Sequence, residues 1–208
     1  MSTPGLSSNT IEFLLLYLLL AFLLLVFAYF VFMRIGRGDY LKKGRLTWFS
    51  SFLQLLVFLG VLLFPYLYNP PMWAYFWDLS RASSYLLAVA GLILIVLGFI
   101  VALGSMAWFG LGRVFGLKVD VLAYSGPYRI SRNPQILGFY LLVIGVALQN
   151  PSWYAAGWVV LCGIICHWMI LSEEEFLRAK FGAQYESYCA RTPRYLGNVS
   201  RLWERLKQ

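Results

Sequence analysis

Long runs of apolar residues alternate along this chain with short segments that hold nearly all of its charge. About 20 residues of α-helix, rising about 1.5 Å each, cross the hydrocarbon core of a bilayer. Because the runs are continuously apolar, they predict membrane-spanning helices and disfavour the alternating strands of a β-barrel. Five such runs are found, at residues 11–33, 48–67, 85–103, 135–148 and 152–171.

The last two runs are separated by only a few residues, which predicts a tight helical hairpin. Asn150 and Pro151 suit the N-cap and the first residue of the fifth helix. This helix is expected to continue past residue 171 and to end at Gly182, because glycine often follows helix C-termini. A short helix over 183–190 and an interfacial amphipathic segment over 200–207 would form the C-terminal region. The pattern predicts an all-α integral membrane protein with five transmembrane helices, folded as a single domain over residues 1–208.

Composition supports this class and excludes others. Hydrophobic residues make up 61% of the 208 residues and charged residues only 12%, against about 25% charged in soluble domains. A disordered chain needs low hydrophobicity, and three cysteines are too few for a disulfide scaffold. An ordinary soluble domain of this size could not bury so much apolar surface.

The basic residues are distributed unevenly between the two sides of the predicted membrane domain. With five spans, 16 of the 17 Lys and Arg residues fall on one side, and only Arg81 falls on the other. The positive-inside rule then predicts an N-terminus outside the cytoplasm and a C-terminus within it. The net charge of +8 therefore reflects topology and contact with membrane lipids, and no nucleic-acid partner is expected.

Polar residues cluster in two segments that the predicted hairpin returns to one membrane face. Arg129, Arg132 and Asn133 precede the fourth helix, and Glu173 and Glu174 end the fifth. Acidic residues at a helix C-terminus oppose the helix dipole, so they call for a cationic partner, either these arginines or a ligand ammonium. The alternative interpretation is a belt of charges that anchors the helix ends at the interface.

The residues around these segments follow a specific order and spacing within residues 112–197. They are Gly126-Pro127-Tyr128-Arg129, Arg132-Asn133-Pro134, Leu137-Gly138, Glu173-Glu174, Leu177, Phe181-Gly182, Tyr185, Tyr188 and Pro193-Arg194. This pattern resembles the isoprenylcysteine carboxyl methyltransferase family, which belongs with the phospholipid N-methyltransferases among integral-membrane methyltransferases. The chain departs from the family pattern at Asn133, where the family usually has His, and at Ile136, where it usually has an aromatic residue.

The resemblance implies S-adenosylmethionine as methyl donor, bound in a cytoplasmic region formed by residues 112–138 and 172–197. It also implies a lipophilic acceptor that enters from the bilayer. The catalytic candidates that it implies are Arg129, Arg132 and Glu174. The cofactor-binding candidates that it implies are Tyr128, Asn133, Pro134, Leu137, Gly138, Glu173 and Glu174.

The acceptor atom is left open by these residues. We expect carboxyl O-methylation, because a carboxylate needs no general base and an arginine could orient it. The alternative is N-methylation of a phospholipid amine, which would need a base such as a glutamate. Less favoured alternatives are an NADPH enzyme similar to the membrane sterol reductases and a non-catalytic relative. The oligomeric state is not predicted.

The sole histidine, His167, lies in the fifth run near Cys162 and Cys166. A zinc site needs about four ligands, and no other Cys or His is placed to complete one, so no metal site is predicted. We interpret His167 as an interior histidine, with pocket lining as the alternative.

Overall fold

The computed structural model describes residues 8–67, 84–110 and 121–197. These residues form helices joined by turns and short loops, with no β-strand among them. The helices are α1 (Ser8–Tyr29), a π-helix (Phe30–Gly36), α2 (Arg37–Lys43), α3 (Trp48–Leu63), a 3₁₀-helix (Phe64–Leu67), α4 (Tyr85–Phe109), a 3₁₀-helix (Gly126–Arg129), α5 (Pro134–Gln149), α6 (Trp153–Phe181) and α7 (Ala183–Arg191). The predicted all-α class is confirmed.

Four helical segments of the described chain are long and apolar enough to cross a membrane. They are Ile11–Lys43, Trp48–Leu67, Tyr85–Phe109 and Trp153–Phe181. The first extends beyond the expected end at residue 33, because α1, the π-helix and α2 follow one another without a break. The remaining predicted span, α5, has 16 residues and is therefore about 24 Å long, less than the roughly 30 Å hydrocarbon core.

The ends of α6 differ in how well the sequence predicts them. Ser152, and not Asn150, caps α6, and its Oγ accepts a hydrogen bond from Ala155 N at 3.0 Å. The prediction for Asn150 was wrong because this residue instead ends α5. Gly182 ends α6 as predicted, with a φ of +48° that favours glycine. A short helix, α7, follows it as expected, and the segment 200–207 lies outside the described residues.

The turn between α2 and α3 is fixed by a buried carboxylate. Asp39 accepts hydrogen bonds from Thr47 N at 3.1 Å, from the hydroxyls of Thr47 and Ser50, and from Lys43 Nζ at 2.7 Å. Thr47 also caps α3 by accepting a hydrogen bond from Ser50 N. Since both oxygens of Asp39 accept hydrogen bonds from residues of this turn, this group serves the fold.

Helix α6 provides the centre of the hydrophobic core. Its residues Trp158, Cys162 and Ile165 are fully buried against α1, the π-helix and α3. Trp158 Nε1 donates a hydrogen bond of 2.7 Å to Val61 O, which satisfies the one polar group of the indole. The outward faces of α1, α3 and α4 carry many exposed leucines and phenylalanines, as expected for surfaces that contact lipid.

Helices α4 and α5 approach each other closely along a seam of four glycines, namely Gly91 and Gly98 of α4 and Gly138 and Gly145 of α5. A Cβ atom added at Gly98 would lie 2.6 Å from Gly138 O and 2.7 Å from Leu142 N. One added at Gly91 would lie 2.5 Å from Gly145 O. Because these neighbours are backbone atoms, no side-chain movement could relieve the overlap, and the close packing depends on glycine.

The glycine seam predicts the effect of a single methyl group. Gly98→Ala should force α4 and α5 apart and cost about 1–3 kcal/mol of stability, as overpacking typically does. Gly104→Ala in the same helix is the matched control, because an added Cβ there meets nothing within 4 Å. Thermal unfolding in detergent should show a lowered Tm for Gly98→Ala alone. Equal Tm values for the two variants would contradict the seam.

Candidate functional site

Glu174, near the end of α6, is the centre of a charged cluster. Its side chain is only 3% exposed. Arg194 holds it with two hydrogen bonds, Nε to Oε1 at 3.0 Å and Nη2 to Oε2 at 2.7 Å. Arg132 Nη1 lies 3.0 Å from Oε1, and Arg178 Nη1 lies 3.8 Å from Oε2. We call these four residues the Glu174 cluster, which joins α6 to the loop before α5 and to the segment after α7.

The segment after α7, residues 192–197, is also bound to this loop through its backbone. Arg132 N donates to Pro193 O at 2.9 Å. Ser131 Oγ and Asn133 Nδ2 both donate to Arg194 O, at 3.2 and 3.1 Å. These three hydrogen bonds hold residues 192–197, hereafter the tail, across the loop.

A small polar pocket of about 40 Å³ lies beside the Glu174 cluster. Arg132, Asn133, Glu173, Glu174 and Tyr185 are among the residues that line it. Arg132 Nε is buried there without a hydrogen-bond partner in the part of the chain that the structure describes, which is unusual for a buried donor. Glu173 likewise makes no hydrogen bond or ion pair with any other residue that the structure describes. As far as the described residues show, the pocket therefore offers one unsatisfied cationic donor and one free carboxylate.

Three tyrosines complete the wall of this pocket. Tyr128 donates to Gln135 Oε1 at 3.0 Å, and Tyr188 donates to Tyr128 O at 2.8 Å. Burial raises the pKa values of Tyr128, Tyr185 and Tyr188 above the ordinary value for tyrosine. All three phenols are consequently neutral at physiological pH, and they can donate hydrogen bonds or present aromatic faces to a cation.

A second, much larger cavity of about 1270 Å³ lies on the other side of the loop, between α4, α5, α6 and the tail. Its wall is mostly aliphatic, and no Arg, Lys, Asp or Glu is among the described residues that line it. Ile100 and Val160 line the cavity and are each 62% exposed. The cavity is therefore open along the apolar face of the helices.

The loop before α5 forms the partition between the two spaces. Arg132 and Asn133 line the polar pocket, whereas their neighbours Ser131 and Pro134 line the apolar cavity. Residues 131–134 therefore lie between the polar pocket and the apolar cavity and contribute side chains to both.

The structure brings together five of the predicted site residues and separates the others from them. Those around the polar pocket are Tyr128, Arg132, Asn133, Glu173 and Glu174. The Arg129 side chain is exposed and lines a separate groove with Arg191 and Thr192.

The remaining predicted cofactor ligands are found in different surroundings. Pro134 and Leu137 line the apolar cavity, and Gly138 belongs to the glycine seam. Two residues absent from the predicted site belong to this region, since Arg194 pairs with Glu174 and Tyr195 lines the apolar cavity. Arg194 was part of the motif that carried the family resemblance, whereas no sequence pattern marked Tyr195.

The Glu174 cluster predicts a large difference between adjacent carboxylates. Glu174→Gln should destabilise the protein by about 3–5 kcal/mol, because it leaves buried guanidinium groups without a counter-charge. Glu175→Gln is the matched control, since Glu175 is 42% exposed and pairs with the half-exposed Arg37, where solvent screens the interaction. The Tm in detergent should fall much further for Glu174→Gln. Similar losses in the two variants would show that the cluster is not a major source of stability.

Comparisons with known proteins agree with this architecture. The chain is 24% identical over 124 residues to the nickel-cobalt-cadmium resistance protein NccN of Alcaligenes xylosoxydans xylosoxydans, a match that covers 60% of this chain and 55% of that protein. The match thus spans about half the length of this relative, and no solved structure matches the chain. The family model for phospholipid methyltransferases matches residues 79–184, just over half of the chain, and the protein therefore belongs to the phospholipid methyltransferase family.

Proposed function

We propose that this protein transfers a methyl group from S-adenosylmethionine to a lipid-like acceptor in the membrane. The observation that carries the proposal is the pair of spaces on either side of the loop before α5. One is polar, with an unsatisfied guanidinium nitrogen and a free carboxylate, and the other is a large apolar cavity. A water-soluble donor and a lipidic acceptor need such adjacent environments if they are to react.

The residues of the polar pocket fit the methionyl part of the donor. Glu173 would accept hydrogen bonds from its ammonium group, and Arg132 Nε would donate to its carboxylate. The faces of Tyr128, Tyr185 and Tyr188 would contact its positively charged sulfonium. Ligand pockets usually measure about 300–1,000 Å³, so a pocket of about 40 Å³ has to widen when the donor binds.

The protein would contribute position and exclusion of water. When bound, S-adenosylmethionine supplies an activated methyl group that is transferred in a single displacement. Holding both partners in line can lower the barrier by about 7–11 kcal/mol without any covalent protein intermediate. Arg194 would keep Glu174 and the loop in place, because its two hydrogen bonds tie the tail to α6.

The apolar cavity suits the hydrocarbon part of the acceptor. Its volume of about 1270 Å³ exceeds that of most small-molecule pockets, and it has room for an acyl or prenyl chain. The exposed Ile100 and Val160 on its wall would allow the chain to enter sideways from the bilayer. Carboxyl O-methylation and amine N-methylation both fit this arrangement.

The topology that we propose has α5 as a fifth, short span that crosses the bilayer beside α4. The N-terminus would lie outside the cytoplasm, and both the Glu174 cluster and the C-terminus inside. The distribution of 16 of the 17 basic residues supports this orientation. The close packing of α5 on α4 supports the short span, because α4 shields one side of α5 from lipid.

Donor binding can be tested directly on the purified protein in detergent. Isothermal titration calorimetry with S-adenosylmethionine should show binding to the wild type. Glu173→Gln should weaken it at least tenfold, because the ammonium group loses its counter-charge. Glu186→Gln is the control, since Glu186 pairs with Arg178 at the surface, and its affinity should equal that of the wild type. A wild type that does not bind the donor would overturn the proposed function.

Acceptor binding can be separated from donor binding by filling the apolar cavity. Ile144→Trp, in the cavity wall, should reduce methylation of membrane lipids at least tenfold while donor affinity is unchanged. Leu103→Trp is the control, because Leu103 is 58% exposed on α4 and is not among the residues that line the cavity. Mass spectrometry of lipid extracts would detect the methylated products. Normal activity in Ile144→Trp would exclude this cavity as the acceptor site.

A further inference from the structure

The sole histidine of the chain lies in the apolar cavity and is held by the tail. His167 Nδ1 and Tyr195 Oη are 2.7 Å apart, and both residues line the cavity. His167 Nε2 has no hydrogen-bond partner among the residues that the structure describes. The imidazole is therefore fixed on one nitrogen and free on the other.

This pair is aligned with the Glu174 cluster along α6. His167 and Glu174 are seven residues apart, which places them on the same face of the helix and about 10.5 Å apart along its axis. Their partners, Tyr195 and Arg194, are adjacent in the tail. His167 thus lies on the apolar side of the partition, two helical turns from the residue at the centre of the polar site.

The surroundings of His167 bear on which acceptor group would react. No Arg or Lys is among the described residues of the cavity wall, and Arg132 and Arg194 already bind Glu174. A lipid carboxylate in this cavity would therefore have no cationic partner among the described residues of its wall. An amine, by contrast, must lose a proton before its nitrogen can attack, and His167, with one ring nitrogen free, is the described side chain of the cavity wall that is suited to accept it.

We propose that His167, positioned by Tyr195, accepts the proton in the methylation of an amine carried by a lipid. The inference rests on the proposed function and names the acceptor group. The neutral tautomer that it requires has the proton on Nδ1, which donates to Tyr195 Oη and leaves the lone pair of Nε2 for the substrate. Burial raises the pKa of Tyr195, so its phenol stays neutral beside the imidazole.

The step balances in atoms and charge. The lipid ammonium gives one proton to His167 Nε2, and the freed nitrogen lone pair attacks the methyl carbon. A C–N bond forms while the C–S bond of the sulfonium donor breaks, and that electron pair remains on sulfur, which leaves a neutral thioether. The product is an N-methylammonium, and the imidazolium passes its proton to water.

Among the described residues, few other ionisable groups lie near the imidazole. Tyr195 comes from the tail, Tyr140 from α5 and Cys166 from α6 itself, and the part of α4 in the cavity wall contributes none. Beyond them lies Glu174, neutralised by Arg132 and Arg194. His167 is therefore the nitrogen base among the described residues of the cavity wall.

Two variants separate proton transfer from anchoring of the tail. In His167→Asn the side-chain amide can still bond Tyr195, but it cannot titrate. Tyr195→Phe removes the bond and keeps the imidazole. With S-adenosylmethionine as donor and dodecylamine in detergent as the probe acceptor, His167→Asn should lower kcat at least 100-fold with little change in KM. Tyr195→Phe should lower kcat less than tenfold, because the imidazole remains. Dodecanoate, the matched carboxylate, should not be methylated.

A measurement without donor gives an independent readout. Because the chain contains one histidine, ¹⁵N-histidine labelling of a protein without a histidine tag gives the NMR signals of His167 alone. Nδ1 should carry the proton in the neutral form, and dodecylamine, but not dodecanoate, should shift the Nε2 signal.

The results distinguish the two proposals. A protein that does not bind S-adenosylmethionine refutes the proposed function itself. A protein that binds the donor but methylates dodecanoate, or methylates neither probe and shows no Nε2 response, refutes the inference about His167. Equal losses of activity and Tm in the two variants would also refute it, because the pair would then serve only to anchor the tail.

Discussion

The structure depends on the burial of one carboxylate, Glu174, near the C-terminal end of α6. A carboxylate that is 3% exposed is stable only when cationic groups and hydrogen bonds replace the water that it has lost. Arg132 and Arg194 provide them from two segments far apart in sequence. Their positions fix the loop before α5 and the tail, and these two segments in turn shape both the polar pocket and the apolar cavity.

Hydropathy located the membrane helices well and their ends poorly, for a physical reason. An apolar run shows where lipid surrounds the chain, whereas a helix continues until its backbone hydrogen bonding is interrupted. The helical segment Tyr85–Phe109 therefore extends past residue 103, and Ile11–Lys43 past residue 33. At Gly182 the helix ends because glycine readily adopts a positive φ, and this end was predicted correctly from the sequence.

The candidate site was predictable as far as topology forces residues together. Arg132 and Glu174 meet because both lie where the loop before α5 and the end of α6 come together. Arg129 does not join them, since consecutive side chains of a 3₁₀ turn point in different directions: Tyr128 is buried and Arg129 is exposed. Gly138 shows the limit of a motif, because a residue can belong to a family pattern for close helix packing alone. The contact of Tyr195 with His167 joins residues 28 apart, and no periodicity in the sequence marks it.

The glycine seam also determines which wall of the apolar cavity can move. At the glycines between α4 and α5, backbone lies against backbone, so the two helices are packed too closely to shift against each other without overlap. The opposite wall is held differently, by polar contacts between the tail and α6 such as that of Tyr195 with His167. Polar contacts of this kind can exchange with water one at a time. The cavity is therefore expected to widen on the side of the tail. A bulky lipid would gain room there and not between α4 and α5.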